Sequence, residues 1–493
     1  MKTQCIHKKI NRGQPQSGIT SLLFILLVGM TLTVATIGYM ASMKTMQSSA
    51  VTTHAQTQAQ MQTMIGYQAL SEFLKSSNMD MAKITATETG TVTSTTGQVI
   101  NYKKSASCPT GTGNYCFDII GESGGAKAIL RALFKVTDTV TTSTATGSIF
   151  AGGLYISSNS TKFQGVDATA PSIAIGNAGS GAGVIKGFSN NVTNIGVTAY
   201  TGGLNLPSTE TLRPFANYIF TKNAAGNVAT CYKNNLKSGG SPITTETLIT
   251  TCPNGVSLSS GVWSFDSSAA NLVGIIWFQG NVITYMKETP QDYINTILAT
   301  GSIETKLPPT GNVQGIYNVY SPYYYLLDNF PSNFTTNDLK ARLLKVCPAD
   351  NYPTQYCKDY NATDRNNLSS INYFLDTDPS TNLYLKDINT APANLANIIL
   401  MADDGFILDS GNGVNTNFFG NLIGNNVSGG RGSSSGKFNG SGTINIRGNI
   451  MVTGNVVTDM SGNMTVTLGN AKGGGNSIPT SVKSVTPASI SYQ

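Results

Sequence analysis

Histidine is almost missing from this sequence: His7 and His54 are the only two among 493 residues. Neither lies in the long C-terminal part, so histidine-dependent triads and dyads are excluded there. No glycine-rich stretch ends in the Lys-Ser/Thr of a phosphate-binding loop; Gly179–Gly183 is an example. We therefore expect no enzyme and no cofactor, although these absences do not exclude paired-carboxylate chemistry.

Charge is also scarce, because charged residues make up only 11% of the chain. The formal net charge is +6, and four cations (Lys2, Lys8, Lys9 and Arg12) precede the first apolar run, which leaves 6 − 4 = +2 for the rest. This balance carries no nucleic-acid signal. Abundant Gly, Ser, Thr and Asn favour a β-rich, turn-rich extracellular protein.

One uncharged run dominates the N-terminal part. From Ile19 to Met43 the sequence has 25 residues without a charge, about 37 Å as a helix, against about 30 Å of membrane hydrocarbon. The preceding cations predict a cytoplasmic N-terminus and a single inner-membrane span. Helix-permissive residues continue to Ser77 with an amphipathic pattern, so a helix over 19–77 is predicted, its second half packed on a globular part.

The cysteines predict disulfides. Cys5 lies before the apolar run, and the other six form three close pairs: Cys108/Cys116, Cys231/Cys252 and Cys347/Cys357. One member of each pair precedes proline, which favours a turn. We interpret them as three sequential disulfides made in an oxidising compartment. Scattered buried thiols are the alternative; zinc is disfavoured because no spacing matches a zinc module.

A basic leader ending at Gly18, followed by an apolar helix that becomes amphipathic, resembles the class III signal of type IV pilins. The likeness is closest to PilX-type minor pilins, specific over Gly18–Ser77 and weaker over Gln98–Val136. It implies a helix followed by a small antiparallel sheet with a disulfide. It also implies a prepilin peptidase that cleaves between Gly18 and Ile19, methylation of the new N-terminus, and helix packing against other pilins.

Two residues depart from the pilin pattern. The usual first mature residue is Phe, and here it is Ile19; the usual fifth is Glu, and here it is Leu23. The resemblance implies that, in pilins, this Glu is a buried counter-ion for the N-terminal amine of a neighbouring subunit. An unpaired buried charge is costly. We therefore predict a subunit at an end or tip of a filament. An uncleaved membrane-tethered envelope protein and a type II secretion pseudopilin are the alternatives.

The rest of the sequence favours β structure. Gln98–Tyr102 and Tyr115–Ile120 alternate as strands, and Lys127–Val136 is interpreted as a strand in preference to a short helix. After Gly147, Gly-Asn dipeptides punctuate short β-favouring pieces, most densely from Gly448-Asn449 to Gly469-Asn470. Turns every 6 to 8 residues favour a β-solenoid, with a Greek-key sandwich as the alternative.

The predicted fold class is α+β: a long N-terminal helix, a predominantly β globular region and a small helical insertion. The predicted segments are a leader (1–18), the helix (19–77), a pilin-like β region (78–146), a β-rich domain (147–310), an insertion (311–392), a Gly-Asn repeat region (393–472) and a flexible tail (473–493). Short helices are predicted near Thr289–Leu298 and from Thr336.

Two clusters suggest binding. The tyrosines Tyr317, Tyr320, Tyr323, Tyr324 and Tyr325 suit recognition of a surface or host ligand, or else they pack the insertion. Asp359, Asn361 and Asp364 are weak calcium candidates, and Asp403, Asp404 and Asp409 cluster similarly. Neither acidic stretch has the Gly and terminal Glu of an EF-hand loop, and solvated turn carboxylates are the alternative.

Overall fold

The computed structural model describes residues 17–76, 89–95, 97–105, 108–109, 113–165, 172–176, 182–237, 241–266, 272–286, 292–307, 315–328, 336–348, 351–357, 375–378, 382–385, 389–425, 436–454, 456–469 and 476–493. The chain divides into two compact units. The first comprises Met1–Met79, Lys83–Val136 and Val485–Gln493. The second, called the head, comprises Asp80–Ala82 and Thr137–Ser484.

The first unit combines one long helix with an antiparallel sheet. Helix α1 spans Ser17–Ser76, and the sheet runs in the order β1 (Thr89–Thr93), β2 (Val99–Lys104), β3 (Asn114–Ser123), β4 (Ala126–Thr144), β35 (Ser477–Tyr492). Strands β4 and β35 begin in one unit and end in the other. Gly124 and Gly125, both with positive φ, make the turn between β3 and β4.

Small residues let the second half of α1 approach its sheet closely. The buried face of the helix carries Ala55, Ala59 and Thr63, one turn apart, and then Leu70. On the sheet, a Cβ at Gly121 would lie 2.1 Å from the carbonyl oxygen of Ala59. Strand β3 therefore meets the helix backbone directly, and glycine is required there.

The head is a β-solenoid built from three columns of parallel strands, with the strands of each column given in stacking order. The first column is β12 (Tyr218–Lys222), β18 (Gly274–Phe278), β20 (Tyr293–Ala299), β26 (Ile398–Ala402), β29 (Asn421–Gly424), β32 (Ile450–Val452), β5 (Ser148–Phe150), β8 (Ile173–Ile175) and β11 (Val197–Ala199). The second is β17 (Val262–Asp266), β19 (Val282–Tyr285), β21 (Ile303–Lys306), β27 (Phe406–Ser410), β30 (Gly436–Gly440), β33 (Thr458–Met460), β6 (Leu154–Ile156) and β9 (Lys186–Gly187). The third is β22 (Gly315–Tyr320), β28 (Val414–Phe419), β31 (Thr443–Arg447), β34 (Thr465–Gly469), β7 (Lys162–Gly165) and β10 (Val192–Thr193).

The rungs are not stacked in sequence order. The chain enters in the middle of the stack at β5 and builds outwards to β11. It then returns along residues 200–217 to β12 and builds back until β32, β33 and β34 pair with β5, β6 and β7. The return segment contains α2 (Thr209–Leu212) and a 3₁₀ turn, Arg213–Phe215. A permuted stack of this kind brings the two ends of the head together, as the 2.8 Å bond from Ala145 N to Asn476 O illustrates.

Antiparallel strands and an insertion complete the head. β13 (Ala229–Lys233), β15 (Thr247–Ile249) and β16 (Val256–Ser259) flank the β12 end of the stack, and β14 (Leu236–Lys237) pairs with β23 (Tyr352–Pro353). Between β22 and β26 lie α3 (Pro322–Asp328), α4 (Thr336–Val346), the hairpin β24 (Leu375–Asp378) and β25 (Asn382–Leu385), and a 3₁₀ turn, Ala393–Asn397. A further 3₁₀ turn covers Ser189–Asn191.

Two Gly-Asn dipeptides form a corner of the solenoid. Gly420 and Gly448 have φ angles of 139° and 152°, and a Cβ at Gly448 would lie 2.3 Å from Gly420 O. The following asparagines form a buried ladder, in which Asn421 Oδ1 accepts from Asn449 N at 3.0 Å. Glycine therefore supplies the backbone geometry, and asparagine pairs the buried backbone groups of adjacent rungs.

The predicted fold class is confirmed: a long N-terminal helix precedes a large β-rich region with few small helices. The helix predicted from Thr336 is confirmed at Thr336–Val346. The helix predicted near Thr289–Leu298 is wrong where the structure describes it, because Tyr293–Ala299 is strand β20, paired with β18 and β26.

Other predicted segments are corrected. The flexible tail predicted over 473–493 is wrong for Ser477–Tyr492, which is an edge strand of the five-stranded sheet. The insertion predicted from residue 311 begins after Tyr320, because Gly315–Tyr320 is a rung strand. The regions 147–310 and 393–472 share one stack and are not separate domains.

Candidate assembly helix and the faces of the head

The N-terminal half of α1 presents a continuous exposed apolar surface. Every residue described from Ile19 to His54 is exposed, including Leu22, Ile25 and Leu32 at 63–69%. In the described chain this is the one helix long and apolar enough to cross a membrane. The surface must meet lipid or other protein, because so large an apolar face is unfavourable in water.

The polar residues of this segment are compatible with an apolar environment. The hydroxyls of Thr31, Thr33 and Thr36 donate to backbone carbonyls one turn earlier, at 3.0, 2.6 and 2.9 Å. A threonine hydroxyl bonded within its own helix needs no outside partner. The hydroxyls therefore do not interrupt the apolar surface.

The exposed segment is longer than a membrane requires. Ile19–His54 spans about 54 Å of helix, whereas the hydrocarbon core takes about 30 Å. Lys44 is its one charged residue, and beyond it Met46 and Val51 are still 69% and 68% exposed. Burial begins at Ala55. A membrane that covers Ile19–Met43 thus leaves Met46 and Val51 exposed among mainly polar residues.

The predicted cleavage and assembly residues lie at the start of this segment. Gly18 and Ile19 belong to the first turns of α1, and Ile19 is 77% exposed. Leu23, one turn later, is 63% exposed and has only apolar residues beside it in sequence. The position that carries a carboxylate in most pilins is here part of the apolar surface.

All three cysteine pairs lie at disulfide distance in the sequential pairing. The Cα–Cα distances are 5.4 Å for Cys108–Cys116, 5.5 Å for Cys231–Cys252 and 5.7 Å for Cys347–Cys357. The first bond lies in the first unit, the second ties β13 to the residues after β15, and the third joins the end of α4 to the residues after β23. Each closes a short loop.

The tyrosine cluster is buried, which corrects its interpretation as an adhesive surface. Tyr317 belongs to the solenoid core, and Tyr320, Tyr323, Tyr324 and Tyr325 belong to the core of the insertion; all five are 1–5% exposed. Tyr320 also stacks on Phe419 with ring centroids 4.2 Å apart. These tyrosines therefore pack the protein core, as the alternative interpretation of the cluster predicts.

The acidic clusters give no assembled metal site among the described residues. Asp359, Asn361 and Asp364 lie outside the described part of the chain. No group of three or more metal-ligating side chains occurs in the part that is described. Asp403 instead anchors the return segment: its carboxylate accepts from Thr209 N at 2.9 Å and from Thr209 Oγ1 at 2.8 Å. Burial raises the pKa of Asp403 to about 7, against the opposing effect of these bonds.

The outer face of the first column from β12 to β32, called the covered face, is buried. Six outward residues form one ladder through successive rungs, each 0% exposed: Ile219, Trp277, Leu298, Met401, Ile423 and Met451. The return segment packs against them through Leu204, Leu206 and Leu212, and Trp277 Nε1 donates to Thr209 O at 2.8 Å. Sequence reasoning missed this cover because residues 200–217 show no element pattern of their own.

The outer face of the second column, called the charged face, alternates in sign. Its strands carry Asp266, Glu304, Lys306, Asp409, Lys437, Asp459 and Lys186. Lys306 and Glu304 approach to 3.1 Å, and Lys437 lies beside Asp459 in the parallel register. Cations and carboxylates offset each other along this face.

The outer face of the third column, called the amide face, is nearly uncharged. No carboxylate occurs on its described strands, and its cations are Lys162 and Arg447. One row is a chain of side-chain hydrogen bonds: Asn417 Nδ2 donates to Asn318 Oδ1 at 2.8 Å, and Asn445 Nδ2 donates to Asn417 Oδ1 at 2.7 Å. Thr467 Oγ1 donates to Asn445 Oδ1 and extends the chain by one rung. The neighbouring row consists of Ile316, Asn415, Thr443, Thr465 and Lys162.

Comparisons with known proteins give little. No family model and no curated protein matches the sequence. Among solved structures, the crystal structure of the competence-associated pilin ComZ from Thermus thermophilus matches at 10% identity and a TM-score of 0.22, over 82% of this chain and 88% of that chain. A likeness at that TM-score carries no argument, so any function for this chain has to be argued from its own residues.

Proposed function

We propose that this chain is a minor pilin of a type IV filament. In this account it is inserted into the inner membrane with its N-terminus in the cytoplasm and is cut by the prepilin peptidase between Gly18 and Ile19. The helix then leaves the lipid and packs among other pilin helices. The β-solenoid head stays outside, where it serves assembly or adhesion.

The observation that carries the proposal is the exposed half of α1. Its exposed surface continues beyond the apolar run Ile19–Met43 that a membrane would cover, and it has one charge, Lys44, between Ile19 and Glu72. Packing among similar helices covers a surface of this length, because each neighbour buries apolar area along the full exposed segment. A stationary membrane anchor would leave Met46 and Val51 uncovered.

The residue at position 23 supports a place at one end of the filament. A repeating subunit needs a partner for the N-terminal amine of its neighbour, because a buried unpaired charge is costly. Leu23 offers no acceptor for that amine. A subunit at the end or tip has neighbours on one side only, so it does not have to satisfy a further amine.

The test is site-specific photo-crosslinking in cells that make filaments. A photo-crosslinking amino acid replaces Leu32, which is 63% exposed, or Leu70 of the same helix, which is 0% exposed and faces the sheet. We expect products with other pilins from position 32 and none from position 70. Products from position 32 with no pilin among them, together with a protein that stays with the cells when filaments are sheared off, would favour a membrane-tethered envelope protein.

A type II secretion pseudopilin is the remaining alternative, and it shares the helix argument. In that case the crosslinked partners are pseudopilins and no sheared surface filament contains the chain. The identity of the crosslinked neighbour therefore separates the two filament systems.

A further inference from the structure

The amide face is nearly free of charge and carries uncovered polar side chains on several successive rungs. The covered face is buried beneath the return segment, and on the charged face cations and carboxylates alternate. The charges on its described strands are Lys162 and Arg447, so between those two positions a partner has to be recognised by neutral hydrogen bonds.

The inner row of this face is explained by the solenoid itself. Asn318, Asn417 and Asn445 bond to one another from rung to rung, as stacked asparagines do in other parallel β structures. This row fixes the side-chain orientation and stabilises the stack. Stability alone thus accounts for the asparagine ladder.

The outer row has no such explanation. Within the described part of the chain, no hydrogen bond engages the side chain of Asn415, Thr443 or Thr465, although register places them side by side on adjacent rungs. Asn415 is exposed, and the two threonines are partly exposed. Three neutral donor–acceptor groups therefore stand in line, open to solvent.

The spacing of these groups is set by the backbone. Adjacent rungs lie about 4.8 Å apart, and the two rows are separated by about 6.7 Å along each strand. From β22 to β7 the face extends over about 19 Å. A ligand that matches it is extended, flat and periodic, with a neutral hydroxyl or amide group repeating at nearly the rung distance.

We propose that the amide face binds a neutral, extended polysaccharide, whose sugar units follow one another across successive rungs. The hydroxyls of Thr443 and Thr465 and the amide of Asn415 exchange hydrogen bonds with sugar hydroxyls, and the inner row holds the platform flat. The inference names a ligand class for the adhesive role in the proposed function. Binding requires only the folded head, so it can be tested independently of filament assembly.

The test uses the full-length chain in detergent and measures co-sedimentation with insoluble cellulose and chitin, and with an anionic polysaccharide for comparison. The variant N415A/T443V/T465V keeps the backbone and nearly the shape of the threonines while removing the neutral groups. Each lost hydrogen bond weakens binding several-fold, so we expect about a tenfold or greater loss of affinity for the neutral polymer. Lys437→Ala on the charged face is the matched control and should bind as the unchanged protein does.

Several results would overturn the proposal. One is a correctly folded chain that binds neither neutral polymer. Another is a triple variant that binds as well as the unchanged protein. A third is a chain that binds the anionic polymer alone and loses that binding when salt is added. A concentration-dependent dimer that the triple variant abolishes would show instead that a second copy covers this face. An unchanged urea midpoint by tryptophan fluorescence establishes that the triple variant is folded, and T443V/T465V alone serves if Asn415→Ala disturbs it.

Discussion

Replacing Asn421 with alanine should destabilise the head strongly, because this side chain pairs buried backbone groups on two adjacent rungs. Its Oδ1 accepts from Asn449 N at 3.0 Å, and its Nδ2 donates to Asn397 O at 3.2 Å. All three residues are 0–3% exposed, so water cannot replace the lost partner. Each orphaned group costs about 1–3 kcal/mol, which gives about 4 kcal/mol for the pair.

The assay is urea unfolding followed by tryptophan fluorescence. The two tryptophans of the chain, Trp263 and Trp277, both lie buried in the head, so the signal reports the unfolding of that unit. Asn415→Ala is the matched control: it removes the same side chain from a rung strand where it is exposed. We expect a change within about 0.5 kcal/mol there. Equal destabilisation by the two substitutions would refute the role given to the buried ladder.

Other sites yield three more predictions. Gly121→Ala should loosen α1 from its sheet, because the new Cβ would lie 2.1 Å from Ala59 O; hydrogen exchange over residues 55–74 should accelerate. Burial raises the pKa of Asp403 to about 7. The head should therefore lose stability on the order of 3–4 kcal/mol as the pH rises from about 4 to 7. D403N should remove this pH dependence of the urea midpoint. Leu23→Glu should raise the number of copies along the filament shaft, counted by immunogold labelling.

Each of these predictions has a control or a contrary outcome. Gly196→Ala should be silent, because its nearest atom would be an ordinary 3.7 Å away. The head should lose stability as pH rises because the pKa of Asp403 is higher in the folded than in the unfolded state, so folding favours the protonated carboxyl group. A stability of the head that rises between about pH 4 and pH 7 would contradict this prediction. For Leu23→Glu, an unchanged distribution along the filament would argue against the counter-ion explanation.

The sequence predicted the long helix and the rungs well, for identifiable reasons. The helix is marked by an uncharged run and then by small residues on one face. Corners of the solenoid require backbone angles that Gly420 and Gly448 provide, and the buried amide of Asn421 then pairs the neighbouring rung. These constraints are local, so they leave a pattern in the sequence.

Other features could not be predicted because they depend on distant partners. Tyr293–Ala299 is buried on both faces, so it shows no alternation, and Ile294, Ile297 and Leu298 fit helical spacing equally well. The strand Ser477–Tyr492 contains two prolines, which an edge strand tolerates. The docking of β5 on β32 joins residues about 300 positions apart, and nothing local encodes it.

The candidate sites divide in the same way. Leu23 could be singled out by comparison with a family pattern. The burial of the five tyrosines could not be predicted, because tyrosine suits both core and surface. The amide face could not be predicted either. The rows of the amide face likewise exist only once separate strands are brought into register.

The most direct test of the central claim is the mass of the mature N-terminus. If the chain is a pilin, the protein isolated from cells begins at a methylated Ile19 and lacks the first 18 residues. A protein that begins at an intact Met1 would contradict the account and leave the helix as a stationary membrane anchor.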